Sequence, residues 1–231
     1  MIIRVNHEDV LNHKTLTEEV SDYLRRELLL ADRWEQGSFL REEDVADTLK
    51  VSRAPVREAI KTLVGLGILR LTPRRGAMIA KFTPQEIEEL YDVRFALESI
   101  VFDALIREDA LNSSDYDHLE NILSDILKLA RSGVARKEVY WSFSNMDLDF
   151  HLYFVKKADR KVILQILRGV YAQLQHAILR DWTDSKKNLV YLVAQHQKML
   201  DMLKEGNLEE LKKNRFYSYF IRRAKTAETS T

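Results

Sequence analysis

Apolar residues in this chain recur at helical spacing and alternate only briefly. Val20, Tyr23, Leu24 and Leu28 fall on one face of a first helix that Thr17 is placed to cap. Residues 1–14 carry no period and read as a loose arm or a strand, and 31–40 read as a connector. A second helix is expected over 42–50, with Val45, Ala46 and Leu49 on its apolar side. Val51-Ser52-Arg53-Ala54-Pro55-Val56-Arg57-Glu58-Ala59-Ile60 follows after a tight turn. There Val56, Ala59, Ile60 and Leu63 form the next buried stripe. Ser52 is a natural N-cap, since its hydroxyl can accept a free N–H of the first turn. Pro55 falls in that turn, where a missing N–H costs little.

Gly65 and Gly67 end this helix. Ile68 to Leu71 alternates weakly, Thr72-Pro73-Arg74-Arg75-Gly76 is a turn, and Ala77 to Ala80 reads as the returning strand. Two helices followed by a basic hairpin make a winged helix-turn-helix. Beyond it no strand signal remains. Thr83-Pro84-Gln85-Glu86 is a strong helix start, with a cap, a proline in the first turn and a capping-box glutamate. Helices are expected at 84–109, 114–131, 137–157, 159–181, 185–204 and 207–225. Short breaks between them imply an antiparallel bundle. The fold class is therefore mainly α: a winged helix-turn-helix domain over 1–81, then an all-helical domain over 82–231.

Composition narrows the function. With 45% hydrophobic residues in 231 the chain can build real cores, and 7 glycines and 3 prolines suit a helical protein. It has no cysteine, hence neither disulfide nor thiolate metal site. No apolar run approaches the ~18 residues of a membrane span. The N-terminus lacks the apolar region of a signal peptide, so a cytoplasmic protein that makes no membrane contact is expected. Net charge is zero but unevenly spread. Lys50 to Lys81 holds eight Lys or Arg against one acid, and Phe82 to Asp125 holds twelve acids against two arginines. A basic module joined to an acidic one suits a protein that holds DNA at one end.

Arg53, Arg57 and Lys61 are four apart and line one face of the helix after the tight turn. Such a face is a solvated surface or a groove reader, and the basic wing with Arg74 and Arg75 at its tip favours double-stranded DNA. In the helical half, polar residues interrupt apolar stripes. Arg94 sits among Ile87, Leu90, Tyr91, Leu97 and Val101. There it is either a structural pair with Glu98 or another carboxylate, or a grip for an anionic ligand. Asp147 and His151 share a face by i,i+4 spacing, and Tyr140 and Ser144 extend it. This pair can hold a metal ion or make a simple hydrogen bond. His196 lies within Leu189, Leu192, Val193, Met199, Leu200 and Leu203, where a histidine is usually a core residue.

Four stretches resemble the GntR family of bacterial transcription regulators: Leu16-Thr17-Glu18-Glu19-Val20, Gly37-Ser38-Phe39-Leu40, Val51 to Ala59, and Arg74-Arg75-Gly76-Ala77. The helical half resembles the FCD effector domain of its FadR-type members, so the likeness covers nearly the whole chain. The resemblance implies DNA contacts from Ser52, Arg53, Arg57, Lys61, Arg74, Arg75 and Gly76. It places Arg94 at an effector pocket, with Tyr140, Ser144 and Ser218 beside it. It also implies a divalent metal, zinc or nickel, held by Asp147, His151 and His196. The chain departs from the family pattern twice. Ala54 stands where a threonine is common. Ser218 stands at the family's fourth ligand, so either three protein ligands with water or effector complete the shell, or the metal is lost.

The resemblance implies a ligand-responsive regulator acting as a homodimer on a pseudo-palindromic operator, with a small carboxylate as effector. One alternative is a metal-dependent hydrolase using the same three ligands, though no general base, nucleophile elbow or phosphate loop is evident. Another is a DNA-binding protein whose helical half only dimerises. Ligand titration separates this last reading from the first, since a pure dimeriser would not change its operator affinity with any metabolite.

Overall fold

A computed structural model describes residues 14–31, 34–132, 136–178 and 185–213. They form two compact units, the first ending at Ala80 and the second beginning at Lys81.

In the first unit, α1 spans Leu16–Leu30. Its cap is Thr15, not Thr17. The Thr15 hydroxyl accepts the Glu18 N–H at 3.3 Å, and the Glu18 carboxylate accepts the Thr15 N–H at 2.7 Å. Glu18 can close this capping box only on the residue three before it. Val20, Leu24 and Leu28 are buried as expected, joined by Leu29. Helix α2 spans Glu42–Leu49 and α3 spans Arg53–Gly65. The turn between them is made by Lys50 in a left-handed conformation, φ 54°. Helix α3 packs on both α1 and α2 through Val56, Ala59, Ile60 and Leu63. Ser52 takes the extended N-cap backbone but makes no side-chain cap bond, which corrects the capping role expected for it.

Strand β1 is Phe39–Leu40, β2 Leu69–Thr72 and β3 Gly76–Ile79, in the antiparallel order β1-β3-β2. Two residues are too few to show alternation, so β1 lay hidden in the stretch read as connector. Pairing reveals it, with Phe39 opposite Met78 and Leu40 opposite Ala77. The hairpin closes with Thr72 opposite Gly76. Arg74 and Gly76 take left-handed φ values of 63° and 93° there. Glycine adopts that conformation freely and arginine does so at some cost.

The second unit is helical: α4 Pro84–Arg107, α5 Ser113–Arg131, α6 Arg136–Lys157, α7 Lys161–Ile178, α8 Ser185–Lys204 and α9 Leu208–Lys213. The expected capping box forms at α4, where Thr83 N–H meets Glu86 Oε2 at 2.7 Å. Helix α4 stops at Arg107, and α7 starts two residues later than expected, because Asp109 and Asp159 are left-handed. The stretch expected to continue helical to 225, Ser218 included, lies outside the described residues, as do 179–181. Helix α4 packs against α6, α7 and α9, while α5 packs against α6 and α8. Phe102, Phe150 and Phe154 meet edge to face at 5.4 Å in the core. Among the described residues no helix is long and apolar enough to cross a membrane.

Candidate functional site

The apolar stripes of the bundle draw several polar side chains inside. Arg94 and Glu98 come from α4, Asp147 and His151 from α6, Tyr171 from α7 and His196 from α8. Arg94, Glu98, His151 and His196 are each buried to 6% exposure or less. Asp147, His151 and His196 converge as expected, and their ligand atoms lie within 4.8 Å of one another. Asp147 Oδ1 is 3.1 Å from His196 Nε2 and 3.8 Å from His151 Nε2. The two Nε2 atoms are 2.9 Å apart.

The other ring nitrogens bear on the tautomers. His196 Nδ1 is 2.7 Å from the Leu192 carbonyl, which can only accept, so this nitrogen carries the proton. His151 Nδ1 faces Glu98 Oε1 at 3.0 Å, which favours a proton there too. Both Nε2 lone pairs then point at each other and at Asp147. Two lone pairs at that distance repel unless a cation, a proton or a metal ion, lies between them. Two imidazoles and a carboxylate, with carboxylate and carbonyl acceptors behind the rings, are a donor set that suits zinc or nickel.

Electrostatics favour this arrangement. Burial pushes the Glu98 carboxyl up, but Arg94, His151 and the Tyr171 hydroxyl outweigh it and hold Glu98 ionised, below the usual range. Asp147 behaves alike: burial opposes ionisation, but when a proton sits on the imidazole pair, donation from His196 and that positive charge, with Arg94, outweigh burial and hold Asp147 below the usual range. Burial and then the Arg94 charge press His151 down to about 4, which keeps its lone pair available at neutral pH. Arg94 donates Nε–H to Glu98 Oε1 at 3.1 Å, and its guanidinium lies 4.5 Å over the Tyr171 ring. The Tyr171 hydroxyl donates to the same Glu98 oxygen. Arg94 thus has the Glu98 partner that one sequence reading gave it, and it stands in the same polar cluster as the three ligands.

Tyr140 and Ser144 are buried on α6. The Ser144 hydroxyl donates to the Trp141 carbonyl at 2.9 Å, a bond within its own helix. His176 is fully buried on α7 beside Phe82, ring centres 6.2 Å apart, and is not one of the three converging ligands. Sequence reasoning did not single out Tyr171, since nothing in α7 ties that position to α4. Glu98 was foreseen as a partner of Arg94, but its contact with His151 requires knowing how α4 and α6 pack.

In the first unit, Arg53, Arg57 and Lys61 all project from α3 and are exposed. Each has an acidic partner. Arg53 pairs with Glu43, Arg57 Nε with Glu42 at 3.1 Å, and Lys61 with Glu58 at 2.8 Å. The basic excess between Lys50 and Lys81 therefore overstates the bare positive charge, because Glu42 and Glu43 lie just outside that window. In the wing Arg74 and Gly76 are exposed at the turn, and the Arg75 guanidinium rests 4.5 Å over the Phe39 ring.

Residues 16–79 match the bacterial regulatory proteins of the gntR family, and residues 89–213 match the FCD domain. The chain belongs to the GntR family, in the branch that carries an FCD domain. This GntR regulator is 35% identical over 145 residues to the gluconate operon transcriptional repressor of Bacillus licheniformis, and 34% to that of Bacillus subtilis. Those matches span 63% of the chain and 56% of each relative's length. The E. coli McbR/YncC structure superposes with a TM-score of 0.70 at 17% identity, covering 93% of this chain and 97% of that one. A GntR regulator from Rhodococcus sp. RHA1 gives 0.65 at 20%, covering 93% and 98%. These likenesses show the winged-helix and helical-bundle fold. The family is one of transcription regulators and not of enzymes, so the hydrolase alternative falls.

Proposed function

We propose that this GntR regulator is a homodimer that reads a pseudo-palindromic operator and releases or tightens it when a small carboxylate binds in the helical domain. The convergence of Asp147, His151 and His196 beside Arg94 carries this reading. A divalent ion, zinc or nickel, fits the three ligands and would supply a fixed positive charge. Arg94 adds a second cation, so an anion entering the cluster meets charge on two sides. Asp147, His151 and His196 would hold the ion, with Glu98 and the Leu192 carbonyl orienting the rings. Ser218 is the position for which the family offers a fourth ligand. A hydroxy acid of the gluconate type is the first effector class to test, because the relatives named above control a gluconate operon.

Operator reading falls to Ser52, Arg53, Arg57 and Lys61 on or beside α3, and to Arg74, Arg75 and Gly76 in the wing. One winged helix covers one half-site, so two copies are needed. Val93 and Ile100 on α4 and Val162 and Ile166 on α7 are exposed apolar side chains on two helices that pack together. We assign the dimer contact to this face.

The deciding experiment titrates operator binding with gluconate and related sugar acids, using wild type and Arg94→Ala. Wild type should change its operator affinity about tenfold, a preference of about 1.4 kcal/mol for one state. Arg94→Ala should bind operator and ignore the acid. The contact of Arg94 with Glu98 and Tyr171 favours a second reading, in which Arg94 only ties α4 to α7. A folded Arg94→Ala protein with an unchanged ligand response would establish that one.

A further inference from the structure

The two arginines at the start of α3 are held in different ways by neighbouring glutamates of α2. Arg57 meets Glu42 through Nε alone, at 3.1 and 3.3 Å to the two carboxylate oxygens. Among the described residues nothing is bonded to the two terminal nitrogens, the ones a guanine edge or a phosphate would receive. Glu42 is thus a buttress that aims the guanidinium. Arg53 meets Glu43 through a terminal nitrogen, Nη2. Here the carboxylate occupies the same edge of the arginine that an anionic DNA oxygen would take.

We infer that Glu43 limits the strength of DNA binding: it competes with DNA phosphate for Arg53, so a duplex must displace it before Arg53 can serve the DNA. The inference rests on α3 being the DNA-reading helix. Acids in the first turn of α2 also complement its helix dipole, but Glu42 and Asp44 in the same turn supply that without Glu43. Both members of the Arg53–Glu43 pair are exposed, and an exposed pair is weak enough to be broken by a phosphate held in register. A carboxylate beside a phosphate track also repels DNA whenever Arg53 is not shared, which lowers binding to every sequence alike. Base-edge contacts at a matched site are added on top of this cost and do not remove it.

The test is fluorescence anisotropy with the full chain over a salt series. The duplexes are one of mixed sequence and the tightest binder selected from a random pool. Glu43→Gln should tighten the mixed duplex by about twofold to fivefold. It should steepen the dependence of log affinity on log salt by about one. The selected duplex should gain at least as much, because it uses Arg53 at least as fully. In an Arg53→Ala background, where only the direct repulsion remains, the gain should be clearly smaller. Glu42→Gln should act the opposite way, weakening the selected duplex most. An unchanged mixed-duplex affinity in Glu43→Gln, a gain undiminished without Arg53, or a selected duplex that gains less than the mixed one would each overturn the inference. A wild-type protein that binds neither duplex would instead sink the reading of α3 itself, and this inference with it.

Discussion

A single oxygen, Glu98 Oε1, accepts from Arg94 and Tyr171 and faces the His151 ring nitrogen. Such sharing is tolerable only because the carboxylate is ionised; protonated, it would leave a buried guanidinium without its counter-charge. The same reasoning applies to Asp115 on α5. Its carboxylate takes the Asn112 N–H at 2.8 Å, the Tyr153 hydroxyl at 2.6 Å and the Lys157 ammonium at 2.8 Å. Burial pushes the Asp115 carboxyl up, but these three donors bring it from 3.8 down to about 2. A carboxyl depressed in the folded state contributes stability that is complete above its unfolded value. That stability is lost as pH falls from about 4 to about 2. Asp115→Asn should therefore cost about 1–3 kcal/mol at pH 7. In urea melts the gap to wild type should close on acidification across that window, and a pH-independent gap would show that Asp115 does not stabilise through its charge.

At the scale of elements, local chemistry fixed what could be read in advance. The α4 cap, the apolar faces of α1 and α3 and the hairpin turn all follow from residues a few positions apart. Missed features have a different origin. Strand β1 is visible only through its partner β3, and the pairing of Arg53 and Arg57 needs the α2–α3 angle. The left-handed Asp109 and Asp159 shift two helix ends by breaking the helical run earlier or later than the apolar pattern does. The elements proposed to read DNA make separable predictions. Arg57→Ala should weaken operator binding by about 1–3 kcal/mol and relax preference at one base pair, if its open terminal nitrogens read a guanine. Arg75→Ala should weaken all duplexes similarly and flatten the salt dependence. Gel-shift titrations check both, and unchanged affinity in both variants would remove α3 and the wing from DNA binding.

At the scale of the whole molecule, the chain leaves its DNA-binding unit at Ala80 and enters α4 within a few residues, so Arg94 lies on the first helix after the wing. Ligand binding that moves α4 has a short covalent route to the winged helix, which is the mechanical content of the proposal. The assigned dimer face predicts that Ile100→Glu with Ile166→Glu lowers the mass seen by analytical ultracentrifugation from dimer to monomer while the helical signal persists. A dimer that survives both changes places the contact elsewhere. The candidate site was partly legible. Asp147 and His151 declared themselves by spacing, and Arg94 by its intrusion into an apolar stripe. His196 lies 45 residues from His151, and only the family likeness brought them together beforehand. These three side chains are proposed to form the metal-holding core of an effector site. Isothermal titration of metal-stripped protein with zinc and with nickel tests it most directly. The account predicts one ion per chain, loss of binding in His151→Ala and in His196→Ala, and an affinity lowered about 10- to 100-fold in Glu98→Gln, which orients the His151 ring. Wild-type protein that takes up neither ion in the micromolar range would contradict it, leaving the cluster as a hydrogen-bonded core that closes on a proton.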